Sequence, residues 1–222
     1  MARNMNQLAV LTGDVIASTD FVDRTALPHI LREGFEGVAR RFGLPVRAFE
    51  IYRGDSFQGV LAPEQALLAA TIVRARLRSV RVEGRRRSGA LDARVAIGIG
   101  VVQHTVARVV ESDGEAYRLS GRALDEMARP KETRRLRVEG PRVHPQVQIT
   151  VQLLDAIVSA WSVPVAESAF LALTETDRTQ ADMAERQGVS QPAISQRLGA
   201  ARFDTVLELL DLYARALAIA PA

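Results

Sequence analysis

Two sets of side chains in this 222-residue sequence have the types and spacing for chemistry. The first is a pair of Gly-Asp steps, Gly13-Asp14 in LTGDVIAST and Gly54-Asp55 in RGDSFQGVL. Two carboxylates converging at strand ends make a hard-cation site suited to Mg²⁺ or Mn²⁺, with positions left for water or phosphate oxygens. A glycine before each aspartate would let backbone approach a ligand; turn chemistry accounts for such dipeptides equally well. The second set runs from Thr179 to Arg202, TQADMAERQGVSQPAISQRLGAAR. Ala184 is small where two helices must cross, Gly188 can take the positive φ of a sharp turn, and Ser190 can cap a following helix that carries Pro192 in its first turn. Ile194, Leu198 and Ala201 form a buried stripe. Gln191, Ser195, Gln196 and Arg202 fall on the other face, with Ser190 and Arg197 beside them. Such side chains suit the base edges and phosphates of double-stranded DNA, and the spacing is that of a helix-turn-helix.

Charge sharpens that expectation. From Gln146 onward acidic residues outnumber basic ones, yet Arg186 to Phe203 holds Arg186, Arg197 and Arg202 and no acid. A positive window confined to the presumed recognition element is what phosphate contacts need. The alternative is a small helical subdomain in which Gly188 merely caps a helix. The densest basic run, Arg74, Arg76, Arg78, Arg81, Arg85, Arg86 and Arg87, could touch nucleic acid; the preferred reading is a helix end and loop with solvated arginines near a helix C-terminus.

Composition excludes several classes. With no cysteine there is no disulfide, thiolate zinc site or cysteine nucleophile. His29, His104 and His144 lack a second histidine at ligand spacing. No apolar run approaches eighteen residues, and MARNMNQLAVLTGDV lacks the apolar stretch of a signal peptide. The expectation is a cytoplasmic protein without a membrane partner. A hydrophobic content of 47% supports one large core or two small ones.

Periodicity places these residues. Leu8–Ile16 reads as a buried strand, Arg24–Phe42 as a helix stopped by Gly43, and Val46–Tyr52 and Ser56–Leu61 as strands around Arg53-Gly54-Asp55. A helix from Glu64 to Val80, an Arg-rich loop from Gly84 to Gly89, a central strand Ala93–Gln103, a helix Glu115–Ala128 and a strand Leu136–Glu139 follow. The order predicts an α+β fold, a ferredoxin-like sheet with helices on one face. EGPRVHPQ is the expected linker, dividing residues 1–140 from an all-α unit, 141–222, that opens with a helix from Val147 to Trp161.

LTGDVIAST, RGDSFQGVL, RVAIGIGVV and DGEAYRLSGRAL occur in the order and approximate spacing of class III nucleotidyl cyclase domains. More narrowly, the chain resembles the SatD family, in which a cyclase-like domain precedes a helix-turn-helix. The resemblance implies that Asp14 and Asp55 bind metal, with the Val15 carbonyl a further ligand. It also implies that Gly54, Arg118, Arg122 and Glu111 serve a nucleotide, with Arg122 the transition-state arginine of an active form. Arg118 stands where cyclases carry asparagine, Ile51 replaces the usual lysine and Glu111 the usual aspartate, which places base selection and turnover in question. The expected protein is a homodimeric DNA-binding regulator that senses a nucleotide or cyclic nucleotide; the alternatives are an active cyclase and a protein-binding adaptor.

Overall fold

The computed structural model describes residues 7–16, 18, 24–52, 54–83, 88–104, 113–141 and 143–218. The apolar run at the N-terminus forms β1 (Gln7–Val15), the centre of a mixed sheet. It pairs antiparallel with β3 (Ser56–Leu61) on one edge and with β6 (Ala93–His104) on the other. β2 (Phe49–Tyr52) lies outside β3. β8 (Leu136–Glu139) runs parallel to β6, and the short β7 (Asp113–Gly114) pairs farther along it. The strand expected from Val46 begins instead with a 3-10 turn, Val46–Ala48, after Pro45, whose fixed φ favours a turn. The flanks of the expected Arg-rich loop pair as a small hairpin, β4 (Arg81–Glu83) with β5 (Ser88–Ala90).

Side-chain alternation gives this sheet two different faces. Ala9, Leu11, Val15, Phe57, Leu61, Val95, Ile97 and Ile99 point to one side and join the buried stripes of α1 (Leu27–Phe42) and α2 (Ala66–Arg78). Phe35 of α1 stacks on Phe49 with ring centroids 4.8 Å apart and meets Phe57 edge-on. Gly43, at φ 64°, ends α1 as expected, its N–H reaching the Ala39 carbonyl. The other side of β6 presents Arg94, Ala96, Gly98 and Gly100, a row of small residues beyond one arginine. Onto it lies α3 (Glu115–Met127), so helices cover both faces and not the one expected. The reason is room: a Cβ on Gly98 would stand 2.1 Å from the Ala116 carbonyl oxygen, and one on Gly100 2.7 Å from the Glu115 carboxylate. A buried hydroxyl pair, Thr12 and Ser120 at 2.8 Å, joins the two layers. Gly98→Val should therefore push α3 off the sheet and cost about 1–3 kcal/mol, the usual penalty of overpacking. A urea midpoint equal to wild type would refute this account of the glycine row.

The C-terminal half is helical: α4 (Pro145–Ser159), α5 (Val163–Thr174), α6 (Gln180–Gln187), α7 (Gln191–Ala200) and α8 (Phe203–Ala218). Val151, Leu154, Ala166, Leu173, Val206 and Tyr213 from these helices, with Trp161 between α4 and α5, belong to the same buried cluster as α1 and α2, so the core continues across residue 140. A separate small cluster, Leu171, Met183, Ala184 and Ile194, holds α5, α6 and α7 together. On α8, Val206, Leu209, Leu210 and Tyr213 are buried while Leu207 and Leu212 are exposed.

Arg74, expected to be solvated, is instead completely buried. Its guanidinium donates from Nε and Nη2 to Asp92 at 3.0 and 2.9 Å, from Nη1 to Asp155 at 2.7 Å, and from Nη2 to the Ser159 hydroxyl at 2.9 Å. Arg78 joins Asp92 at 2.8 Å and the Trp161 carbonyl, and Arg76 pairs with Glu33. The second oxygen of Asp155 accepts the backbone N–H groups of Arg135 and Leu136. Burial alone would raise the Asp92 carboxyl and lower the Arg74 guanidinium, but their attraction outweighs it, holding Asp92 below and Arg74 above the ordinary value. This network ties α2, α4 and the start of β8 into one body.

Candidate functional site

Strand register brings the two Gly-Asp steps to the same end of the sheet. Asp14 lies opposite Ser56 on β3, and the Val15 N–H donates to the Asp55 carbonyl at 2.9 Å. The carboxylates themselves are engaged. Arg94, opposite Asp14 on β6, grips it through both oxygens, with Nε donating to Oδ1 at 2.9 Å and Nη2 to Oδ2. Arg94 also reaches the Met127 carbonyl at the end of α3, at 3.5 Å. Asp55 accepts from the Ser18 hydroxyl at 2.5 Å and from Ser56 at 3.3 Å. The oxygen donors have the right chemistry for a hard cation, but Arg94 holds the charge of Asp14, so the pair as arranged does not fit one. Among the described residues no group of three or more histidines and carboxylates is placed to hold a metal.

The glycines have structural work. A Cβ on Gly13 would fall 2.3 Å from the Phe57 ring, so Gly13 makes room for an aromatic neighbour. Gly54 takes φ 82° with open space around it, as a turn tip requires. Arg118 and Arg122 are exposed on α3, on the side opposite its buried stripe of Ala116, Ser120, Ala123 and Met127, and so face away from the sheet that carries Asp14 and Asp55. Glu111 lies outside the described residues.

In the C-terminal half, Thr179 and Asp182 form a reciprocal cap on α6, Gly188 takes φ 62°, and the Ser190 hydroxyl caps α7 by accepting from Ala193 N–H at 3.4 Å. Ile194 is wholly buried. The exposed face of α7 carries Gln191, Ser195 and Gln196, with Arg202 just beyond the helix at φ 52°. Gln191 Nε2 donates to Gln180 at 2.7 Å. The other expected cations have protein partners: Arg197 donates to Gln187 at 2.5 Å, and Arg186, still half exposed, to both oxygens of Glu175 at 2.6 and 2.8 Å.

No family model matches the chain, and no curated protein matches its sequence. The SatD resemblance therefore rests on the quoted motifs. Among solved structures, the chain is weakly similar to the active GGEEF domain of a diguanylate cyclase from Vibrio cholerae. The TM-score is 0.40 and the identity 16%, over 63% of this chain and 86% of that one. Among the described residues no helix is long and apolar enough to cross a membrane.

Sequence reasoning missed Arg94. The signal was available, since laying the 93–103 strand antiparallel to the first puts an arginine across from Asp14. It also missed Glu175, a buried carboxylate at the end of α5 with arginines from three elements around it. Neither sequence distance nor period pointed to it.

Proposed function

We propose that the chain is a cytoplasmic transcriptional regulator in which α6 and α7 read double-stranded DNA as a helix-turn-helix, and in which the sheet unit, residues 1–140, takes a nucleotide or cyclic nucleotide. The observation that carries the reading is the outward face of α7. It presents Gln191, Ser195 and Gln196 without a carboxylate, while Ile194 anchors the opposite side and Arg202 stands exposed at the helix end. Amide and hydroxyl side chains on a rigid helix are the groups that read base edges, and an arginine at its margin is placed for a phosphate. The test is retention on a library of duplex fragments across a salt series. Retention that falls steeply with salt supports the reading, and none at low salt ends it.

The nucleotide half rests on the motif resemblance, and on Arg118 and Arg122 standing exposed a turn apart for phosphates. Because they face away from their own Asp14 and Asp55, they would serve a ligand held by the partner of a two-fold dimer. Exposed Ile149 and Leu153, a turn apart on α4, and Leu212 on α8 support a self-association surface. Light scattering reads the oligomeric state, and a monomer removes this arrangement while leaving the DNA reading intact. Product formation from ATP or GTP with Mn²⁺ would move the chain to the enzyme reading.

Asp14 and Asp55 become a metal pair only if Arg94 lets go. Arg94→Gln should then tighten Mn²⁺ binding about tenfold, a gain of about 1.4 kcal/mol, since it removes a competing cation from Asp14. Calorimetric titration of the apo protein checks this. Equal affinities in wild type and variant would show that Asp14 is structural, the partner of Arg94 and no ligand.

A further inference from the structure

Between the end of α1, the loop after α5 and the end of α6 lies an open polar cleft of about 830 Å³. Its floor is Glu175, whose side chain is only 8% exposed. Three guanidiniums share that one carboxylate: Arg40 from the last turn of α1 at 3.2 Å, Arg186 from the last turn of α6 at 2.6 Å, and Arg178 from the intervening loop. Each comes from a different element, so tertiary packing brings them together. Each also remains about half exposed, at 55%, 49% and 45%. Arg40 and Arg186 each donate to Glu175 through Nη1 and Arg178 approaches it through Nε, whereas a guanidinium has five N–H donors in a planar fork.

Charge is uneven here as well. Arg41 lines the cleft as a fourth cation, against Asp177 and Asp182 beside Glu175. Asp182 is committed to the Thr179 cap of α6, and Glu175 lies beneath the arginines it binds. We infer that this cleft is a binding site for a phosphate oxyanion, held by the outward edges of Arg40, Arg178 and Arg186 after Glu175 has fixed their positions. Guanidinium forks match phosphate geometry, and a carboxylate that pre-orders them lowers the entropy lost on binding. The site goes beyond the regulator reading, because it needs neither the outward face of α7 nor the sheet. Two sources share the chemistry, a free phosphorylated small molecule and the backbone of a duplex lying along α6.

The experiment titrates the full-length chain with pyrophosphate in EDTA, against sodium chloride of matched ionic strength, reading the melting temperature and the heat of binding. Saturable stabilisation by pyrophosphate is expected. Arg40→Gln and Arg178→Gln should each weaken it about tenfold, the loss of one charge-assisted hydrogen-bonding group. Both side chains are half exposed, so circular dichroism should show an intact fold, and exposed Arg129→Gln should bind like wild type. A duplex titration separates the sources. Competition between pyrophosphate and duplex, with weaker duplex binding in Arg40→Gln, assigns the site to the DNA backbone; pyrophosphate binding without competition assigns it to a small ligand. The inference is overturned if pyrophosphate acts no differently from chloride, if Arg40→Gln and Arg178→Gln bind it as wild type does, or if Arg122→Gln alone abolishes binding. The arginines would then serve only to neutralise Glu175 and the helix ends.

Discussion

Arg74→Ala is expected to lower the unfolding free energy by about 3–5 kcal/mol, the cost of removing one partner from a buried ion network. The substitution leaves Asp92 and Asp155 facing a cavity, each almost wholly out of water, with Arg78 the remaining cation on Asp92. Arg74→Lys should not restore the loss, because a point charge cannot donate to two carboxylates and a hydroxyl at once in the fixed fork that Arg74 uses. Urea unfolding reads both variants, and a midpoint near wild type for Arg74→Ala would remove the network from any account of stability. The same network sets an acid limb. Asp92 is held below its ordinary value in the folded protein, so it contributes stability that is complete above the unfolded carboxyl pKa, near 3.8, and is lost as pH falls through the lower folded value. Asp92→Asn should accordingly flatten the rise of stability with pH in that acid range. An unchanged slope would place the acid limb elsewhere.

The second large effect is on DNA binding and should divide by residue type. Arg202→Gln is expected to weaken binding on every sequence and to reduce the slope of log affinity against log salt by about one, as loss of a single phosphate contact does. Gln196→Ala should leave the salt slope alone and relax preference at one base pair by about 1–3 kcal/mol, since an amide can pair bidentately with adenine. Arg197→Gln should have less effect than Arg202→Gln, because Arg197 is turned toward Gln187. If Gln196→Ala and Arg202→Gln shift affinity and salt slope together, the residues do not divide into base and backbone contacts, and the outward face of α7 is not a recognition surface.

These outcomes bear on different levels of the molecule. The sequence by itself determined the local elements, because periodicity, capping and turn residues act within a few positions. The Ser56–Leu61 and Leu136–Glu139 strands, the stop at Gly43, the Ser190 cap and the Gly188 turn were all legible that way. It also placed Asp14 and Asp55 at one sheet end, since a hairpin and its neighbouring strand leave few other pairings. What only the tertiary structure decided is which partner each charge meets. Arg74, Arg94 and Arg186 look alike in sequence, yet one is buried between two carboxylates, one neutralises the expected metal ligand, and one closes on Glu175. The covering of the second sheet face was also decided there: Gly98 and Gly100 read as strand residues until α3 lies on them. The physical reason is range. Helix and strand preferences are short-range and repeat along the chain, whereas the Arg74–Asp155 and Arg94–Asp14 pairs join segments 81 and 80 positions apart, and sequence period carries no record of which partner a charge withdrawn from water will meet.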